Sequence, residues 1–90
     1  MAFTDTDIER DILGLLADRS PASSICPSDV ARGLTDEEAE WRALMPQVRE
    51  VAKRMAADRI IRVTQGDREV TIDEQLRGPI RLRRGDLFPE

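Results

Sequence analysis

Apolar residues recur at spacings of three and four along the chain as far as about Asp58 and then alternate with polar ones, so helices should give way to strands. Ile8, Ile12, Leu15 and Leu16 share one stripe of a first helix. Thr6-Asp7-Ile8-Glu9 reads as its capping box, and it should run to about Arg19. Ser20-Pro21-Ala22-Ser23-Ser24 ends it, and Ile25 stands as a single apolar contact. Pro27 suits the first turn of a short second helix, Pro27 to Arg32, which presents Val30 and then Leu34 to the core. Gly33 should close that helix in the left-handed conformation.

Thr35-Asp36-Glu37-Glu38 is a second capping-box pattern. Beyond it, Trp41, Leu44, Val48, Val51 and Met55 keep one phase through Pro46. Two structures fit: a single helix kinked at Pro46, or a turn followed by a helix that restarts there. The unbroken stripe favours the first and makes Trp41 a core residue. After this helix, Arg59 to Thr64 and Arg68 to Ile72 form a hairpin about a Gly66-Asp67 turn of type II′, with Val63 opposite Val70 and Ile61 opposite Ile72. Asp73-Glu74-Gln75 then leads to the strand Ile80-Arg81-Leu82-Arg83, whose alternating arginines read first as an edge-strand defence against aggregation.

Three helices, a hairpin and a short third strand define a mainly α protein with a small β-wing, an α+β fold of the winged helix-turn-helix kind. Ninety residues predict one domain spanning 1–90, with a core over about 6–83 and a flexible tail over 84–90. A chain of this size buries about 60–65% of the surface its unfolded form exposes. No apolar run reaches membrane-spanning length, and Met1-Ala2-Phe3-Thr4-Asp5 shows neither a basic leader nor an apolar stretch. With one cysteine, Cys26, and hence no internal disulfide, the expected location is the cytoplasm.

The net charge of −4 argues against a generic polyanion binder, but its distribution is uneven. Met1 to Glu40 holds ten acidic and three basic residues, net −7; Trp41 to Glu90 holds eight acidic and eleven basic, net +3. Opposite the buried stripe of the third helix, Arg42, Arg49 and Lys53 share a narrow sector with Pro46, and Arg54 borders it. An ordinary solvated face explains such a cluster equally well; the winged-helix fold adds a second reading, in which this is the recognition helix and its arginines contact guanine or phosphate. Arg62 and Arg68 would then add phosphate contacts from the wing.

Catalytic chemistry is poorly represented. With no histidine, no tyrosine, a single cysteine and no glycine-rich phosphate loop, the chain offers neither a Cys/His metal site nor an imidazole-based nucleophile, and no cofactor is expected. Glu37-Glu38 falls on an acidic loop with nothing to raise a pKa, and Cys26 reads as a structural residue beside Pro27. The expectation is a protein that is not an enzyme.

Three segments, Ile25-Cys26-Pro27-Ser28-Asp29-Val30-Ala31, Trp41-Arg42-Ala43-Leu44-Met45-Pro46 and Arg77-Gly78-Pro79-Ile80-Arg81-Leu82, resemble the recurring motifs of a family of small bacterial winged-helix-like proteins known as a domain of unknown function, DUF3253. The resemblance spans roughly Ile8 to Arg83 and leaves Gly85 to Glu90 outside the pattern. It implies a compact winged-helix-like domain without an established activity, and it carries no functional residues across. It does draw attention to Cys26, Pro27, Trp41, Arg42, Pro46, Arg77, Gly78 and Pro79.

Two roles follow. The chain is either a module for duplex DNA, by analogy with the fold, or a protein-interaction module whose acidic first half meets a partner. The first is favoured, although the acidic run Asp36 to Glu40 lies where phosphates would approach.

Overall fold

A computed structural model describes residues 3–73 and 75–89; of the residues read above, Met1, Ala2, Glu74 and Glu90 lie outside the described residues. Helix α1 spans Asp5–Ala17, β1 Ser24–Ile25, α2 Pro27–Leu34, α3 Glu38–Ala57, β2 Ile61–Gln65, β3 Arg68–Glu69 and β4 Arg81–Arg84. The strands form one antiparallel sheet in the order β1-β4-β2-β3. Three helices with such a sheet make an α+β domain compatible with a winged helix.

Helix α1 starts two residues earlier than the Thr6 pattern suggests. Thr4 is its N-cap: the threonine hydroxyl accepts from Asp7 N–H at 3.1 Å, and the Asp7 carboxylate accepts from Thr4 N–H at 2.9 Å. Helix α2 runs on through Gly33 to Leu34, and Gly33 does not have positive φ. Thr35 is the C-cap of α2 rather than the start of a capping box; its hydroxyl accepts from Glu37 N–H at 3.3 Å, and α3 begins at Glu38.

Helix α3 continues without a break through Pro46. Pro46 has no N–H for the carbonyl of Arg42, and because Arg42 is exposed, water can take that place. The helix ends in a Schellman motif, with Arg59 N–H bonded to the Ala56 carbonyl and Ile60 N–H to the Met55 carbonyl, both at 3.0 Å. Arg59 holds the left-handed position, at φ 65°, where glycine is the usual residue.

The hairpin keeps the expected register. Thr64 faces Glu69, Gln65 faces Arg68, and Val70 N–H still reaches the Val63 carbonyl at 2.8 Å, but the ladder stops before Ile72. Gly66 has φ 62° and Asp67 does not, as a type II′ turn requires. From Glu69 the chain makes an excursion and returns as β4. Gln65 pins that return by donating its side-chain amide to the carbonyls of Arg77 and Pro79, and Gly78 takes φ 90° beneath it.

Strand β4 is central, not an edge. It pairs with β2 on one side and with β1, a strand that the sequence pattern did not reveal, on the other, so Leu82 lies between Ile25 and Val63 on the inner face. The edge-protection reading of its arginines therefore fails. The core joins Ile8, Ile12 and Leu16 of α1 to Val30 and Ala31 of α2, to Val48, Val51, Ala52 and Met55 of α3, and to the inner face of the sheet. Trp41 is only half-buried against this core, which corrects its expected burial. The segment after β4, read as a tail, is tied down as well: Gly85 N–H bonds to the Ile60 carbonyl and Leu87 N–H to the Arg59 carbonyl, both at 2.9 Å, and Phe88 packs against the core.

Candidate nucleic-acid interface

The buried stripe of α3 leaves a complementary exposed ridge, Ala39, Ala43, Pro46, Glu50, Lys53 and Ala57, at alternating spacings of four and three. Of the expected cations only Lys53 stands on this ridge. Arg42 and Arg49 flank it on one side, while Arg54 lies on the other, toward α1.

Their surroundings differ. The Arg42 guanidinium donates to Glu38 at 3.2 Å and lies 4.9 Å from the centre of the Trp41 ring. Arg32, itself paired with Asp29 at 2.9 Å, approaches the same ring to 5.6 Å, so Trp41 contacts two cations. Arg54 donates to Asp5 at 2.8 Å, and Gln47 ties Asp5 and the Phe3 carbonyl to the same side of α3. Both ion pairs of α3 are well exposed and hence worth under about 1 kcal/mol each. They dilute the positive field of the helix without locking its arginines in place.

Arg49 and Lys53 make no ion pair or hydrogen bond among the described residues. Lys53 is exposed and Arg49 half-buried. Together with Met45, Pro46, Glu50, Ile72 and Asp73 they line a groove of about 450 Å³ between α3 and the returning wing. Arg49 and Met45 also line an adjoining hollow of about 230 Å³ that reaches Cys26, Pro27 and Ile80. In the wing, Arg68 is exposed beside the turn, whereas Arg62 donates to the Arg84 carbonyl at 3.1 Å. The six cations thus do not form one patch: among the described residues the side chains of Arg49, Lys53 and Arg68 are unengaged, and those of Arg42, Arg54 and Arg62 have partners.

The groove also carries two carboxylates that the sequence pattern did not single out. Glu50 and Asp73 line it, and Asp73 is brought there by the wing. Glu50 is detectable in retrospect, since it completes the ridge between Pro46 and Lys53.

The arginines of β4 serve the fold. Arg84 donates to the carbonyls of Leu16 and Arg19, both at 2.9 Å, at the C-terminal end of α1. Arg83 reaches the Ala22 carbonyl at 2.9 Å, and Arg81 holds the Ser24 hydroxyl at 2.9 Å, the Ser24 carbonyl at 3.1 Å and the Cys26 sulfur. Much of the positive charge of the C-terminal half is consequently turned inward. Cys26 itself precedes α2, its N–H bonded to the Asp29 carboxylate at 2.9 Å. Burial pushes the Asp29 carboxyl up, but the Cys26 N–H and the Arg32 guanidinium outweigh it and hold the group below its ordinary range.

Among the described residues, Asp11 is the group whose pKa is raised, through burial. One of its carboxylate oxygens is buried without a partner and lies against Gly33, at the contact of α1 and α2 and away from the groove. Among the described residues no group of Cys, Asp and Glu side chains could hold a metal ion, and no helix is long and apolar enough to cross a membrane.

Fold and site together define a small α+β domain with one exposed face of α3 beside the β2–β3 hairpin. The chain belongs to the DUF3253 family, described as proteins of unknown function, whose model matches residues 5–85. No curated protein matches it.

Proposed function

We propose that this chain is a non-enzymatic winged-helix module of the cytoplasm that binds duplex DNA, with α3 as the recognition helix and the 66–80 excursion as the wing. The observation that carries the reading is the pair Arg49 and Lys53, unengaged on the helix that runs beside the wing, with Arg68 at the wing's turn. The order of elements supports it: β1 between α1 and α2 joins the sheet beside the last strand, as in a winged helix. A free, half-buried Cys26 suits a reducing compartment.

Charge sets the expected strength. With a net charge of −4 and carboxylates at Glu38, Glu40, Glu50 and Asp73 around α3, unspecific affinity should be weak, about 10⁻⁴–10⁻⁶ M near physiological salt. Three to five phosphate contacts would give a slope of roughly −3 to −4.5 for log affinity against log salt. Fluorescence anisotropy with a random duplex, titrated across ionic strength, reads both quantities. A chain that leaves duplex DNA unbound at low salt is not a DNA-binding module.

A protein partner is the second reading. It is favoured by the groove itself, where Met45, Pro46 and Ile72 supply an apolar floor and both signs of charge stand at the rim. Binding that is absent for DNA under every salt condition would favour it.

A further inference from the structure

Resting on the DNA reading, we infer that Glu50 is a base-reading residue of α3, its carboxylate accepting a hydrogen bond from the exocyclic amine of a cytosine in the major groove. Glu50 occupies the middle of the exposed ridge, four residues from Pro46 and three from Lys53. The other ridge positions, Ala39, Ala43, Pro46 and Ala57, are short, so the helix can approach the floor of a groove closely, and only Glu50 and Lys53 project far enough to reach base edges.

The carboxylate is available. Glu50 is exposed and makes no ion pair or hydrogen bond among the described residues. Arg54, one helical turn on, could have neutralised it but is turned to Asp5 at 2.8 Å instead. Arg42 and Arg49 follow one margin of the ridge and Arg54 the other, which sets cations where the two phosphate strands would run and leaves Glu50, the one carboxylate of the ridge itself, between them.

A carboxylate in front of phosphates is repelled. At the centre of the major groove it is farthest from both strands, and the cytosine N4 amine is the donor that Glu side chains pair with there. The same position thus discriminates among bases and penalises misplacement on the backbone, which accounts for an acidic residue at the heart of a helix that needs cations on its flanks.

The test is selection from a randomised duplex pool with the parent and with Glu50→Gln and Glu50→Ala, accompanied by thermal melts. The parent should select a C·G pair at one position by about fivefold or more. Glu50→Gln should move that preference to adenine, and Glu50→Ala should erase it; both should bind random duplex more tightly, with melts near that of the parent. Unchanged base preferences in the two variants, while the parent binds duplex in a salt-dependent way, would overturn the role of Glu50 and leave the DNA reading intact. Absence of duplex binding by the parent would overturn both.

Discussion

The guanidinium of Arg84 donates to the main-chain carbonyl of Leu16 at 2.9 Å, closing the C-terminal end of α1 from a strand 68 residues further along the chain. Helix C-termini leave carbonyls without intrahelical donors, and α1 has no basic residue in its last turn to cover them. Arg84 supplies that cover. Replacing it with methionine keeps the apolar stem and removes the donors, and should destabilise the domain by about 1–3 kcal/mol. For a chain of this size the melting temperature would fall by roughly 5–15 °C. Arg68→Met, on the exposed wing, should shift stability by less than about 0.5 kcal/mol. Equal melts for the two variants would refute the capping role.

Two glycines should respond in opposite directions to the same change. A Cβ at Gly85 would stand 2.4 Å from the Arg59 carbonyl oxygen, in a backbone crossing with no room to yield, and Gly85→Ala should be destabilising by about 1–3 kcal/mol. Gly14 lies exposed within α1 with nothing within 4 Å of such a Cβ, and Gly14→Ala should stabilise by about 0.5–1 kcal/mol. Urea denaturation of the two variants measures both signs.

Trp41 reports on a half-buried site flanked by the Arg32 and Arg42 guanidinium groups. Its emission should lie between those of buried and free tryptophan, and acrylamide should quench it partially. Trp41→Ala should cost about 1.5–3 kcal/mol, below the roughly 3–5 kcal/mol of a fully buried aromatic residue. A fully blue-shifted, unquenched spectrum would contradict this placement.

Asp11 and Asp29 should give pH dependences of opposite sign. The folded-state pKa of Asp29 is lowered, so its ionised form favours folding; that contribution is present above the ordinary value of 3.8 and is lost as pH falls through the folded pKa. Asp29→Asn should therefore melt lower than the parent at neutral pH, with the gap closing in acid. For Asp11 the folded pKa is raised, so the native state holds the proton more tightly and stability falls as pH rises from 3.8 through the folded pKa. Asp11→Asn should melt higher at neutral pH and lose that advantage on acidification. Parallel pH profiles for parent and variants would contradict both assignments.

What the sequence made legible was whatever depends on near neighbours. The stripe from Trp41 to Met55 located α3 because its period survives Pro46, and Gly66 marked the turn because its positive φ leaves few alternatives. Strand β1 escaped because two residues carry no alternation and its partner, β4, lies more than 50 positions away. That omission also turned β4 into an apparent edge and its arginines into surface charge. The cap at Thr4 was hidden by a better-looking pattern: Thr6 precedes Glu9 at the favoured spacing, whereas the true box uses Asp7. In the candidate site, the helix, its cations and the i,i+4 spacing of Glu38 and Arg42 were readable, but Asp5, which engages Arg54 from 49 positions away, comes into play only through folded geometry.

The measurement that bears most directly on the proposed function is the salt dependence of duplex binding for the parent and for the double reversal Arg49→Glu, Lys53→Glu. Both side chains lack ion-pair and hydrogen-bond partners among the described residues, so reversal should leave the melting temperature nearly unchanged. The parent should bind weakly with a negative slope in log salt. The double variant should lose binding near physiological salt and, where binding at low salt remains measurable, show a slope shallower by roughly two units. Retention of the parent's affinity and slope by the double variant would contradict the assignment of DNA binding to this face of α3.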